Sequence, residues 1–186
     1  MVMLVLGVLL FACVHFIPSL TQGFKSTAIE KIGEDGYKGI FSLVLLSSFA
    51  LMIFGWRSTV PTHVYIPPAA LHQPALFLLA LAFWLMAVSQ RASRLRLIVR
   101  HPQLAGVALW GASHLLLNGD SRAVVLFGGL ASWALCEMWA INRREGGWIK
   151  NETPTWASEG VSLLIAAITI AVVVYIHPWL SGVPVG

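Results

Sequence analysis

Six stretches of this chain, 1–24, 39–56, 73–90, 102–119, 123–142 and 160–176, carry no Lys, Arg or Asp, and a single Glu interrupts one of them. Each run is about as long as a helix needs to cross a ~30 Å hydrocarbon layer, which takes roughly 20 residues. The runs are continuous, whereas a β-barrel needs alternating segments of about ten residues, so only helices fit. Composition agrees: 58% of residues are hydrophobic, 11% are charged, and mean hydropathy is +0.79. A soluble domain carries about 25% charged residues, so a water-soluble globule is excluded. Low hydrophobicity, the mark of a disordered chain, is absent. Cys13 and Cys136 lie inside apolar runs, which excludes a disulfide-stapled scaffold. The expectation is an all-α polytopic bundle of six transmembrane helices, with residues 1–186 as one domain.

The first run lacks both a basic start and a small-residue cleavage site before Lys25, so it reads as a retained helix rather than a secretory leader. The fifth run is interrupted by Glu137 near its end but still crosses. Lys25, Lys31, Lys38, Arg91, Arg94, Arg96, Arg100, Arg143, Arg144 and Lys150 fall in three alternate connections, against Arg57 and Arg122 on the other side. The positive-inside rule then sets both termini on the outer, periplasmic side of a bacterial inner membrane. The net charge of +4 is accounted for by orientation and contact with anionic lipid, with no nucleic-acid partner needed. Pro61 to Pro68 and Asn118-Gly119-Asp120-Ser121 read as turns, and Asp120 or Ser121 is expected to cap the fifth helix.

An ionisable side chain inside a span is a functional candidate, because lipid makes it expensive. Three residues qualify: His15, His114 and Glu137. The two histidines sit on the first and fourth helices with no charged residue within three positions, which suits a ligand pair facing into a bundle. The alternative is that each simply bonds a carbonyl or a Ser on a neighbouring helix. His101 lies about 220° around the helix from His114, at the basic boundary, where capping or lipid contact is expected. His63, His72 and His177 fall at the outer boundary as interface residues. Glu137, six positions before Arg143, is expected to pair with Arg100 or Arg143. Gly106, Gly111, Gly128, Gly129 and Ser132 give the fourth and fifth helices small faces for close approach. Trp110 shares a face with His114 and is placed to wall a cofactor pocket. No nucleophile with its base, phosphate loop or glycosidase carboxylate pair is present, so hydrolase chemistry is not expected.

Arg100-His101-Pro102-Gln103-Leu104-Ala105-Gly106, Trp110, His114-Leu115 and Asn118-Gly119-Asp120 resemble the signature of the NnrU family of bacterial membrane proteins. Leu10-Phe11-Ala12-Cys13-Val14-His15, Gly36-Tyr37-Lys38 and Phe41-Ser42-Leu43 resemble that family's first two helices. The family is similar to a plant enzyme, 15-cis-zeta-carotene isomerase, a membrane haem b protein; members in denitrifying bacteria are associated with nitrite and nitric oxide reduction. The resemblance implies haem b held by His15 and His114 as metal ligands. A cysteine of the plant enzyme would fall on Gly111, and glycine cannot ligate. Counting residues sets the two histidines roughly 10 Å apart in depth, with Pro18 able to bend the first helix. Arg57 and Arg122 are then the outer cations expected to meet the haem propionates.

The leading expectation is therefore a haem b protein with redox or isomerase-type chemistry, acting on a hydrophobic polyene or a small gaseous ligand. Arg100-His101-Pro102 with Gly106 is also similar to membrane S-adenosylmethionine-dependent methyltransferases of the isoprenylcysteine and phospholipid type. Those carry a Glu pair where this chain has Asn142-Arg143-Arg144-Glu145, with one acid. A non-enzymatic accessory subunit, packed in a larger membrane complex or beside a redox partner, is the third expectation.

Overall fold

A computed structural model describes residues 1–150 and 153–182. They form six long helices: α1 (Val2–Leu20), α2 (Gln22–Ser58), α3 (His72–Ser89), α4 (Pro102–Leu117), α5 (Ser121–Glu145) and α6 (Trp156–Ser181). Among the described residues there is no strand, only an isolated bridge between His63 and Asp120. Five of the helices are long and apolar enough to cross a membrane. The 16 residues of α4 rise about 24 Å, short of a ~30 Å core. Large apolar side chains such as Leu43, Phe54 and Phe77 are exposed around the outside, as a lipid-facing surface requires.

The helices pack α2 on α1, α1 on α5, α5 on α4, α4 on α3 and α3 on α6. Glycines make several of these approaches close. A Cβ on Gly7 would lie 2.8 Å from Met52 N, and one on Gly106 2.8 Å from the Ala82 carbonyl. Gly129 faces Val8 in the same way, at 2.7 Å. Between lipid-immersed helices this fit matters more than apolar burial, since lipid tails are as apolar as leucine. Of the small residues expected to give helices four and five faces for close approach, Gly106 meets α3, Gly129 meets α1 and Gly111 meets α5.

Three features depart from the charge-free runs. Helix α2 begins at Gln22, well before residue 39, and turns at Gly33, whose φ of 75° is left-handed. The basic residues Lys25, Lys31 and Lys38 therefore ride on helix rather than loop. Helix α5 contains a wide π-turn over Val124–Gly128. Finally, Glu159 in the first turn of α6 is buried and reaches back to the connection before α4.

Asp120 caps α5: its carboxylate accepts from the backbone N–H of Arg122 at 2.8 Å and of Ala123 at 3.1 Å. Partial burial pushes its pKa up, but those donors and the Arg122 guanidinium outweigh burial and hold the carboxyl below the ordinary aspartate value. A depressed folded-state pKa stabilises above the unfolded value and is lost as pH falls through the folded one. Asp120→Ala is expected to lower unfolding stability by about 1 kcal/mol at neutral pH. The gap to wild type should shrink below about pH 4, read by denaturation at the two pH values.

Candidate functional site

His15 and His114 are built alike. Each ring sits four residues after an aromatic on its own helix, and its Nδ1 lies within hydrogen-bond distance of that residue's carbonyl: 2.8 Å to Phe11 and 2.9 Å to Trp110. A carbonyl only accepts, so Nδ1 carries the proton and the Nε2 lone pair points outward. Both rings face side chains of other helices. His15 packs against Trp133 of α5 at 4.8 Å between ring centroids and Phe41 of α2 at 5.7 Å. His114 stacks on Phe127 of α5 at 4.2 Å and 22°, with Trp110 tilted against it at 4.7 Å.

No ring contact joins the two histidines. Their partners on α5, Phe127 and Trp133, are six residues apart, about 9 Å along the helix axis. Phe127 belongs to the π-turn, a distortion common at functional sites. It also packs edge-on to Trp110 at 4.9 Å and Trp56 at 5.7 Å. Trp110 thus does share a wall with His114.

The two arginines gather at the same corner. The Arg122 guanidinium lies 4.6 Å over the Trp56 ring, donates to the Trp56 carbonyl at 3.4 Å and pairs with Asp120 at 3.4 Å. Arg57, exposed beside Trp56, donates to the Trp179 carbonyl of α6 at 3.3 Å. His177, two residues earlier on α6, sits 3.1 Å from the Ser181 hydroxyl.

Glu137 corrects an expectation. It is 5% exposed and does not meet an arginine: one carboxyl oxygen accepts from the Ser19 hydroxyl of α1, and the other has no partner. Arg100 instead binds the Gly146 carbonyl and Glu145, and Arg143 lies over Trp139. Six residues of helix separate Glu137 from Arg143, which turns the two to different faces. His101 likewise does not cap α4 with its side chain; its Nε2 donates to the Asn142 amide oxygen at 2.9 Å. Gly111, the position opposite the expected cysteine, leaves no room for a side chain. A Cβ there would stand 2.6 Å from the Phe127 carbonyl.

A family model described as NnrU protein matches residues 3–185. The chain belongs to the NnrU family. Over 109 residues, 59% of this NnrU protein, it is 32% identical to maize 15-cis-zeta-carotene isomerase, chloroplastic. The alignment spans 26% of the maize protein. No solved structure matches.

The donors fit a haem better than a bare ion. Among the described residues no group of three or more His, Cys, Asp or Glu is placed to hold a metal. An iron bound here would have to bring most of its ligands with it, as a porphyrin does, and would need only imidazoles from the protein. Two imidazoles with pinned Nδ1–H and open Nε2 are that kind of ligand.

Proposed function

We propose that this NnrU protein is a haem b-binding integral membrane protein, with His15 and His114 as ligands through Nε2, and that it performs redox or isomerase-type chemistry. The observation that carries this is the shared tautomer device on the only two histidines lying well inside apolar runs. The relation to an isomerase of a conjugated hydrocarbon supports it. When bound, haem supplies one-electron exchange and a coordination position for a double bond or a small gas such as nitric oxide.

The chain's own residues do the rest. The Phe11 and Trp110 carbonyls orient the imidazoles and raise their basicity. His15 and His114 would hold the group only if both Nε2 atoms were brought to one iron. With both imidazoles bound no position would remain for a substrate, so either His15 or His114 would have to leave the group for a polyene or gas to reach it. Arg57 and Arg122 would be the cations placed to meet the propionates. The basic end faces the cytoplasm of a bacterial inner membrane, with both termini outside and a redox partner or larger complex as the source of electrons.

Purified protein is expected to show a Soret band that His15→Ala and His114→Ala each abolish. Full haem content in both variants overturns the assignment. A second reading has one observation in its favour: a recess of about 460 Å³ at the basic end, lined by Arg96, Arg100, His101, Glu145 and Trp148 among others. Its chemistry suits a zwitterion such as S-adenosylmethionine, with cations for the carboxylate and Glu145 for the cationic centre. A colourless protein that binds this compound in calorimetry selects the methyltransferase instead.

A further inference from the structure

One helical turn beyond His15, toward the basic end, lies a layer of polar groups that nothing above uses. The contacts of His15 with Trp133 and Phe41 set three residues of α1, α5 and α2 at one level. Four residues onward on each helix, or four back on the antiparallel α2, come Ser19, Glu137 and Tyr37, about 6 Å deeper. The Ser19 hydroxyl donates to Glu137, which confirms that level. Tyr37 stacks obliquely on Phe41, 6.2 Å between centroids.

Three atoms around this level are buried without a partner: the Tyr37 hydroxyl, the Trp133 indole Nε1 and the second Glu137 carboxyl oxygen. Proteins rarely leave one such group unmet in an apolar interior, and three on adjoining helices point to a missing common partner. Their chemistry defines it. Tyr37 O–H and Trp133 N–H are donors, while the Glu137 oxygen offers lone pairs. The complement is a group with two lone pairs and one O–H.

We propose that Tyr37, Trp133 and Glu137 bind a single hydroxyl group, either that of a water molecule or that of a lipophilic alcohol. Tyr37 and Trp133 donate to its oxygen, and it donates to Glu137, whose other oxygen is fixed by Ser19. A recess of about 380 Å³ opens at the basic end beside Pro18, lined also by Gln22, Lys25 and Arg144. Arg144 donates to the Pro18 carbonyl at 2.9 Å, next to Ser19. An alcohol would enter from the bilayer, its chain along the lipid-facing surface. The site stands whether or not His15 holds iron.

The test uses the full chain in nanodiscs, as wild type, Tyr37→Phe and Glu137→Gln. Infrared difference spectra between H₂¹⁶O and H₂¹⁸O read a bound water, and unfolding midpoints with farnesol against farnesene read an alcohol. With water as the occupant, an isotope-sensitive, weakly bonded O–H band is present in wild type and lost in both variants. With an alcohol, farnesol but not farnesene stabilises wild type, and half-saturation rises at least tenfold in the variants. Tyr37→Phe removes only the hydroxyl and decides the matter if Glu137→Gln fails to assemble. Absence of both signals in wild type, or either signal unchanged in Tyr37→Phe, overturns the proposal; neither result bears on the Soret band.

Discussion

Gly55→Val is expected to part the first two helices. At Gly55 a Cβ would collide with the backbone N of Leu4 and stand 2.7 Å from its Cα. Both obstacles are main chain, so no rotamer change relieves them. Gly7 repeats the arrangement from the other helix, where a Cβ would meet the Ser48 carbonyl at 2.9 Å. Two small residues on opposing helices let α1 and α2 touch backbone to backbone, which in lipid is the main source of their attraction. Overpacking a fitted contact costs about 1–3 kcal/mol where side chains can yield, so the cost here should be about 3 kcal/mol or more. Denaturation of the reconstituted protein should show the loss, with Gly55→Ala intermediate. Gly39 has nothing within 4 Å of its Cβ position, and Gly39→Ala should be neutral or stabilising by up to about 1 kcal/mol. Equal midpoints for Gly55→Val and Gly39→Ala would contradict the packing account. Because α1 carries His15, the same variant should also disturb the ring's contact with Trp133.

The spans were legible because each is a break in charge, the one property that lipid punishes residue by residue. The extension of α2 from Gln22 to Lys38 was hidden for the converse reason: outside lipid, a charged segment folds equally well as helix or loop. There the local pairing of Lys38 with Glu34 at 2.8 Å supports helix. His15 and His114 stood out as ionisable groups in apolar runs, and their carbonyl bonds at i−4 are local enough to follow from helix geometry. Phe127 did not stand out. Its position against His114 depends on a π-turn that leaves no mark in hydropathy. Glu137 was misread because the nearest cations in sequence are on its own helix. Its partner Ser19 is 118 residues away, and such a pairing becomes visible only once α1 and α5 are side by side.

Glu159→Ala is expected to loosen α6 from the rest of the bundle. The carboxylate is 8% exposed. It accepts from the Arg94 backbone N–H at 2.6 Å and the Ser93 hydroxyl at 3.0 Å. Ser93 in turn accepts from Leu95 N–H at 3.1 Å, so one acid orders the whole start of the 3-10 turn Arg94–Leu97. It sits in the first turn of α6, where the helix dipole favours a negative charge. Removing it leaves a buried N–H and a buried hydroxyl without their acceptor. Hydrogen bonds to charged groups contribute about 1.5–3 kcal/mol each, so a loss of about 3–5 kcal/mol is expected. The nearby stacking of Arg94 on Trp156, 4.2 Å from guanidinium carbon to ring, offers a local readout. Trp156 is exposed, and cleavage near it by added protease should speed up by more than tenfold in Glu159→Ala. Glu159→Gln keeps one acceptor oxygen and should recover part of the protection. A cleavage rate unchanged from wild type would mean that the other contacts of α6 hold it without Glu159.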